Sequence, residues 1–109
     1  MKYLKLTCNY DINELPIINY MEIDDERYEV RAVSEFLNGV LGYADETKEV
    51  NNTFLSEVKM PTIEEFYESG EYDTSDCNLI EIEKNEFEEM WDKAQRYCDN
   101  HNAKVNYIK

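Results

Sequence analysis

From residue 3 to residue 10 apolar and polar side chains alternate, with Leu4, Leu6, Cys8 and Tyr10 on one face and Tyr3, Lys5, Thr7 and Asn9 on the other. A period of two predicts a half-buried strand. Asp11 to Glu14 reads as a turn, and Leu15-Pro16 restarts an extended segment where proline is tolerated only at a strand start or sheet edge. Residues 17–24 form a second strand, and the alternation from Tyr28 to Phe36 marks a third. Between them Asp24, Asp25 and Glu26 fall where the chain must reverse. Asn38-Gly39 predicts a type I′ hairpin leading into a fourth strand, Val40 to Ala44, because both residue types accept positive φ. Beyond the polar run 45–53, Thr53 to Val58 reads as a short further strand. Pro61 and Thr62 open a short helix over 63–68 that Gly70 stops.

A longer helix is predicted over 85–100. Phe87, Met90, Trp91, Ala94, Tyr97 and Cys98 recur at spacings of three and four, which makes one apolar stripe. Asn85 with Glu88 resembles a capping box, and Glu86, Glu88 and Glu89 lie at the positive end of the helix dipole. Leu79, Ile80 and Ile82 suggest a brief strand before this helix, and Ala103 to Ile108 a terminal one. Together these elements predict a single α+β domain over 1–109, a mostly antiparallel meander of four or more strands with the C-terminal helix packed on one face.

Composition narrows the function classes. A chain of 109 residues supports one modest core. With 42% hydrophobic and 13% aromatic residues it is not a disordered acidic tail. Its formal net charge of −14 repels nucleic-acid phosphates and anionic membranes, so the expected partner is a basic protein, with no direct nucleic-acid or membrane contact. Cys8, Cys77 and Cys98 are an odd set without a C-x-x-C pair, which indicates neither a disulfide framework nor a zinc knuckle and suits a reducing cytoplasm. No stretch approaches the roughly 20 apolar residues of a membrane span, and no apolar leader follows Met1-Lys2.

Candidate chemistry is sparse. The run from Asp24 to Arg27 lacks the alternating oxygen ligands, the glycine and the distal glutamate of a calcium loop, and suits a turn. No spacing singles out one carboxylate pair for acid–base work. His101, the only histidine, lies in a polar helix end without a nucleophile nearby, and Cys98 belongs to the apolar stripe. With three glycines in all, no phosphate-cradling loop exists. No enzyme activity, metal or cofactor is therefore expected. The charge is uneven: residues 62–92 hold twelve acids against Lys84 alone, a net of −11, whereas 93–109 hold one acid and four bases. That middle segment reads either as a solvated face or as a docking surface for a basic partner, whose association complementary charge would accelerate. Its candidate contact residues are Glu64, Glu65, Tyr67, Glu68, Glu71, Tyr72, Asp73 and Asp76. Trp91, in the helical stripe, is expected in the core.

The stretch Ile23-Asp24-Asp25-Glu26-Arg27-Tyr28-Glu29-Val30-Arg31, followed by the Asn-Gly turn and Gly42-Tyr43-Ala44, resembles the signature of an uncharacterised bacterial family of small acidic proteins. The resemblance runs from Tyr3 through Pro61 and takes in the helix segment Glu86 to Trp91. It implies no activity and no catalytic residue. In size and acidity the family is similar to immunity proteins, which neutralise nuclease toxins. The expected function is accordingly an immunity-type inhibitor of a basic, nuclease-like toxin. Its rivals are a nucleic-acid-mimicking phage or mobile-element inhibitor of a host defence enzyme and a small ligand-binding domain or enzyme. In the third strand, Arg27, Glu29 and Arg31 are expected on one face, pairing with charges on neighbouring strands.

Overall fold

The computed structural model describes residues 1–108; Lys109, the last residue of the expected domain, lies outside the described residues. Its elements are β1 (Lys2–Cys8), β2 (Pro16–Ile23), β3 (Glu29–Phe36), β4 (Leu41–Asp45), β5 (Lys48–Val50), α1 (Ile63–Glu68), β6 (Cys77–Ile82), α2 (Lys84–Asn100) and β7 (Val105–Tyr107). The strands form one antiparallel sheet in the order β6-β1-β2-β3-β4-β5-β7. The first five make a meander, and β6 and β7 add to its two ends. The fold is α+β, as the hydrophobic pattern predicts.

Both faces of the sheet are covered. On one face α2 packs Phe87, Ala94 and Cys98 onto Tyr3, Tyr20, Val33, Leu41, Tyr43 and Val50. The opposite face carries Leu4, Cys8, Met21, Ile23 and Leu79, and is closed by Phe66 of α1 with Met60 and Ile63. Residues adjacent in β1, Tyr3 and Leu4, thus enter two different cores. The apolar stripe of α2 is as predicted, with Met90, Trp91 and Tyr97 half-buried at its margins.

The two hairpins flanking β3 share one loop design. In the first, Asp24 N–H donates to Tyr28 O (2.9 Å) and Arg27 N–H to Asp24 O (3.0 Å). In the second, Phe36 N–H donates to Val40 O and Gly39 N–H to Phe36 O, both at 2.9 Å. Each is a three-residue connection whose third residue is left-handed, Arg27 at φ +72° and Gly39 at φ +84°. The Asn38-Gly39 hairpin is therefore not the expected type I′ turn, which needs positive φ at both residues; only Gly39 has it.

Other expectations are corrected. Residues 53–58 are not a strand, because the chain leaves the sheet at Asn51 and Asn52, both left-handed at φ +57° and +60°, and crosses to the other face. The added strand lies earlier, as β5. Gly42 permits this crossing: a Cβ there would meet the Thr53 hydroxyl and the carbonyl oxygens of Asn51 and Val50, the last two at 2.7 and 2.8 Å. The helix N-cap is Glu83, which makes no side-chain cap bond, so the Asn85–Glu88 capping box does not form; Arg31 holds the Glu88 carboxylate instead. Thr62 and Glu65 do form a capping box, at α1. Cys8 and Cys77, directly opposed across β1 and β6, form a disulfide, which the odd cysteine count did not indicate. That pairing removes the cysteine-based argument for a reducing compartment.

Candidate functional site

The eight residues expected to contact a partner all belong to α1 and to the loop 69–76 that leads into β6, and all eight are exposed. Phe66 anchors this segment. Its ring stacks on Tyr72 at 5.2 Å between centroids and meets Tyr67 edge-on at 4.9 Å, so both tyrosines are fixed while keeping 41% (Tyr67) and 38% (Tyr72) of their surface exposed. The Tyr67 hydroxyl accepts the Leu79 N–H at 2.9 Å and donates to Asn78 Oδ1, which occupies part of the outer edge of β6.

Its carboxylates divide into two kinds. Glu65 accepts the Thr62 N–H at 3.0 Å, and Asp73 accepts the Ser75 hydroxyl at 2.7 Å; these bonds hold both carboxyls below their usual range. Both shape the segment. Glu64, Glu68, Glu71 and Asp76 make no ion pair among the described residues. The −11 of residues 62–92 is not one surface, however. The α1 and 69–76 acids lie beside β6 over the face that α1 covers, whereas Glu86, Glu88 and Asp92 ride on α2 across the sheet and pair with Lys5, Arg31 and Arg96.

Beside the acidic segment is an apolar cavity of about 210 Å³, walled by Leu6, Val58, Met60, Phe66, Tyr72 and Leu79. A more polar depression of about 230 Å³ adjoins it, sharing Met60, Pro61, Lys59 and Tyr72 and adding Arg27, Glu65 and Glu71. The cavity wall is held by Arg27, whose Nε donates to Met60 O at 2.8 Å and whose Nη2 donates to Pro61 O at 2.7 Å, while Met60 N–H donates to Arg27 O at 2.8 Å. The Asp24–Arg27 run is thus a turn, closed by Asp24 Oδ1 accepting from Glu26 and Tyr28 N–H, and its arginine braces the segment before α1.

Arg31 pairs with a charge on the neighbouring strand, as expected, but sequence reasoning missed the buried group that it joins on the α2 face. Tyr3, Glu22 and Arg31 are register partners across β1, β2 and β3. Arg31 donates to both oxygens of Glu22 (2.7 and 3.0 Å) and of Glu88 (2.9 and 2.8 Å), while Tyr3 donates to Glu22 at 2.9 Å. The guanidinium also lies 4.9 Å from both the Phe87 and Trp91 ring centroids. Arg31 holds the Glu22 and Glu88 carboxyls below their usual range, and burial raises the Tyr3 phenol. With every member partnered and rings closing over it, this group is structural. Glu29 does not join it: a register shift beside Glu22 pairs Glu29 with Ile23, on the opposite face, and Arg27 lies in the turn. The expected common face of Arg27, Glu29 and Arg31 is thereby corrected.

The remaining candidates lie at the C-terminal end of α2. His101 ends α2, exposed, stacked on Tyr97 at 4.0 Å. Burial pushes the Cys98 thiol up to about 11, and its Sγ donates to Leu41 O at 3.3 Å. Among the described residues no group of His, Cys, Asp or Glu side chains could hold a metal ion, and no helix is long and apolar enough to cross a membrane.

A family model for a domain of unknown function, DUF6881, matches residues 2–96. The chain belongs to that family. The match spans β1 through most of α2 and leaves β7 outside. No curated protein and no solved structure matches the chain.

Proposed function

We propose that this DUF6881 chain is a non-enzymatic interaction module that docks a basic protein through α1 and the loop 69–76. In its specific form the proposal is an immunity-type inhibitor, bacterial in origin, that lays carboxylates over the active site of a basic, nuclease-like toxin. One observation carries it. Glu64, Glu68, Glu71 and Asp76 stand exposed without a cationic partner among the described residues, beside two tyrosines fixed by Phe66. Fixed aromatics and unpaired charge are what a steered interface uses for contact area and for encounter rate.

A cytoplasmic location belongs to this proposal. The Cys8–Cys77 disulfide weighs against it, since disulfides persist mainly in oxidising compartments. A thiol count on protein alkylated at the moment of cell lysis decides the point.

The test is capture of a partner from the source cells, then its association rate against ionic strength. In the variant, Glu64, Glu68 and Glu71 become Gln and Asp76 becomes Asn, leaving Glu65 of the capping box and Asp73 of the loop intact. Association should slow in the variant and should slow with salt in wild type, as the Debye length falls from about 10 Å at 0.1 M to about 3 Å at 1 M. A salt-independent rate, equal in the two proteins, overturns the proposal.

A further inference from the structure

We infer that the cavity beneath Tyr72 receives an apolar anchor side chain of the partner, preferably aromatic, carried next to arginine or lysine residues that meet the surrounding carboxylates. This rests on the proposed docking of a basic protein and names what that protein must present. Size is the first argument. An apolar cavity of roughly 150 Å³ accommodates benzene, so the 210 Å³ here suffices for the ring of a phenylalanine or tryptophan. Its lining is the second: Leu6, Val58, Met60, Phe66 and Leu79 dominate it, with Ser56 and Lys59 beside them, so an apolar occupant gains most by entering.

Charge complementarity sets the flanks of the occupant. Glu71 and Glu65 line the adjoining depression, and Tyr72 belongs to both hollows, so a side chain seated in the cavity brings its sequence neighbours over these carboxylates. Two cations share that depression, but neither is idle. Arg27 donates through Nε and Nη2 to the Met60 and Pro61 carbonyls, and Lys59 lies 5.6 Å from the Tyr28 ring centroid. The wall is also built before a partner arrives. Arg27 fixes residues 60 and 61 and Phe66 fixes Tyr72, so docking need not order them, which is where preorganised sites gain affinity.

The experiment titrates the full isotope-labelled chain by NMR with three capped peptides: Lys-Arg-Trp-Arg-Lys, Lys-Arg-Ala-Arg-Lys and Gln-Gln-Trp-Gln-Gln. The tryptophan peptide with basic flanks should shift the amides of Phe66 and Leu79, bind about tenfold tighter than the alanine peptide, and weaken with salt. Ser56→Trp, an exposed position on the cavity rim, should abolish that preference with the unfolding midpoint unchanged. The peptide comparison on wild-type chain stands even where that variant fails to fold. Equal, salt-sensitive binding of the tryptophan and alanine peptides overturns the cavity and leaves the acidic docking surface standing. Equal binding of the Gln-flanked and basic tryptophan peptides overturns the basic flanks and, with them, the acidic docking surface. No shift at millimolar peptide overturns the cavity alone, and partner capture then decides the docking surface.

Discussion

Glu22 and Arg31 face each other across β2 and β3, and the guanidinium grips both carboxylate oxygens, Nε to Oε1 at 2.7 Å and Nη2 to Oε2 at 3.0 Å. Glu22 is only 7% exposed. Removing one partner of such a pair strands a buried charge, whereas removing both does not. Arg31→Met should cost about 3–5 kcal/mol in urea unfolding, and adding Glu22→Leu should recover most of that loss. Equal losses in the single and double variants would show that the pair contributes through packing alone.

The same group contributes to the acid limb of the stability curve. Arg31 hydrogen bonds, against the opposing effect of burial, hold the Glu22 carboxyl below its ordinary 4.5. The unfolded chain then binds the proton more readily, so this stabilisation is full above pH 4.5 and is lost as pH falls through the depressed folded value. Glu29 has the opposite sign. Burial raises its pKa, against a Ser56 backbone N–H that lowers it, so ionised Glu29 opposes folding above the raised value. Glu29→Gln should therefore stabilise at pH 7, with a gain that disappears as the pH falls through the folded pKa. Thermal unfolding of both proteins across that range checks the sign.

Arg27 and Gly39 occupy equivalent places in their hairpins, yet only one is glycine. A left-handed non-glycine residue costs roughly 1–2 kcal/mol, and the bonds from Arg27 to the Met60 and Pro61 carbonyls offset that strain. Arg27→Gly loses the bonds but relieves the strain; Arg27→Ala loses the bonds and keeps it. Alanine should thus be the worse replacement, by about 1 kcal/mol. Unfolding midpoints in the reverse order would remove the strain from the account.

Local signals in the chain were enough for the meander and the α2 stripe, because period-two alternation and the spacing of Phe87, Trp91, Ala94 and Cys98 depend only on near neighbours. The exposure of the acidic segment was legible for the same reason. What escaped was set by register between distant strands. Nothing local to Glu22 shows that it will lie opposite Arg31 and also receive Tyr3, or that Glu88 will arrive from α2. The crossing of residues 51–53 over Gly42 is likewise a contact with no periodicity, and Thr53, 1% exposed with no partner for its hydroxyl among the described residues, leaves no mark on the pattern. The cavity depends on Arg27 reaching Met60 and Pro61, more than thirty residues away.

Cys8 and Cys77 are such a distant pair, and their consequence is thermodynamic. They are 69 residues apart, so their bond forbids many open conformations of the unfolded chain. In the chain-entropy account a loop of that length contributes roughly 4 kcal/mol, and measured disulfides commonly deliver 2–4. The bond also joins β6, the edge strand that follows the acidic loop, to β1 inside the sheet. Cys8→Ser with Cys77→Ser should lower the unfolding free energy by about 2–4 kcal/mol, and a reducing agent should lower wild type by a similar amount while leaving the double variant unchanged. Because β6 keeps its full register with β1 and the Tyr67 bond to Leu79, the loss should fall on global stability, with amide protection in β2 and β3 declining in parallel with that in β6. Protection lost in β6 alone would show instead that the disulfide serves to keep this edge strand, and the acidic loop before it, from opening locally.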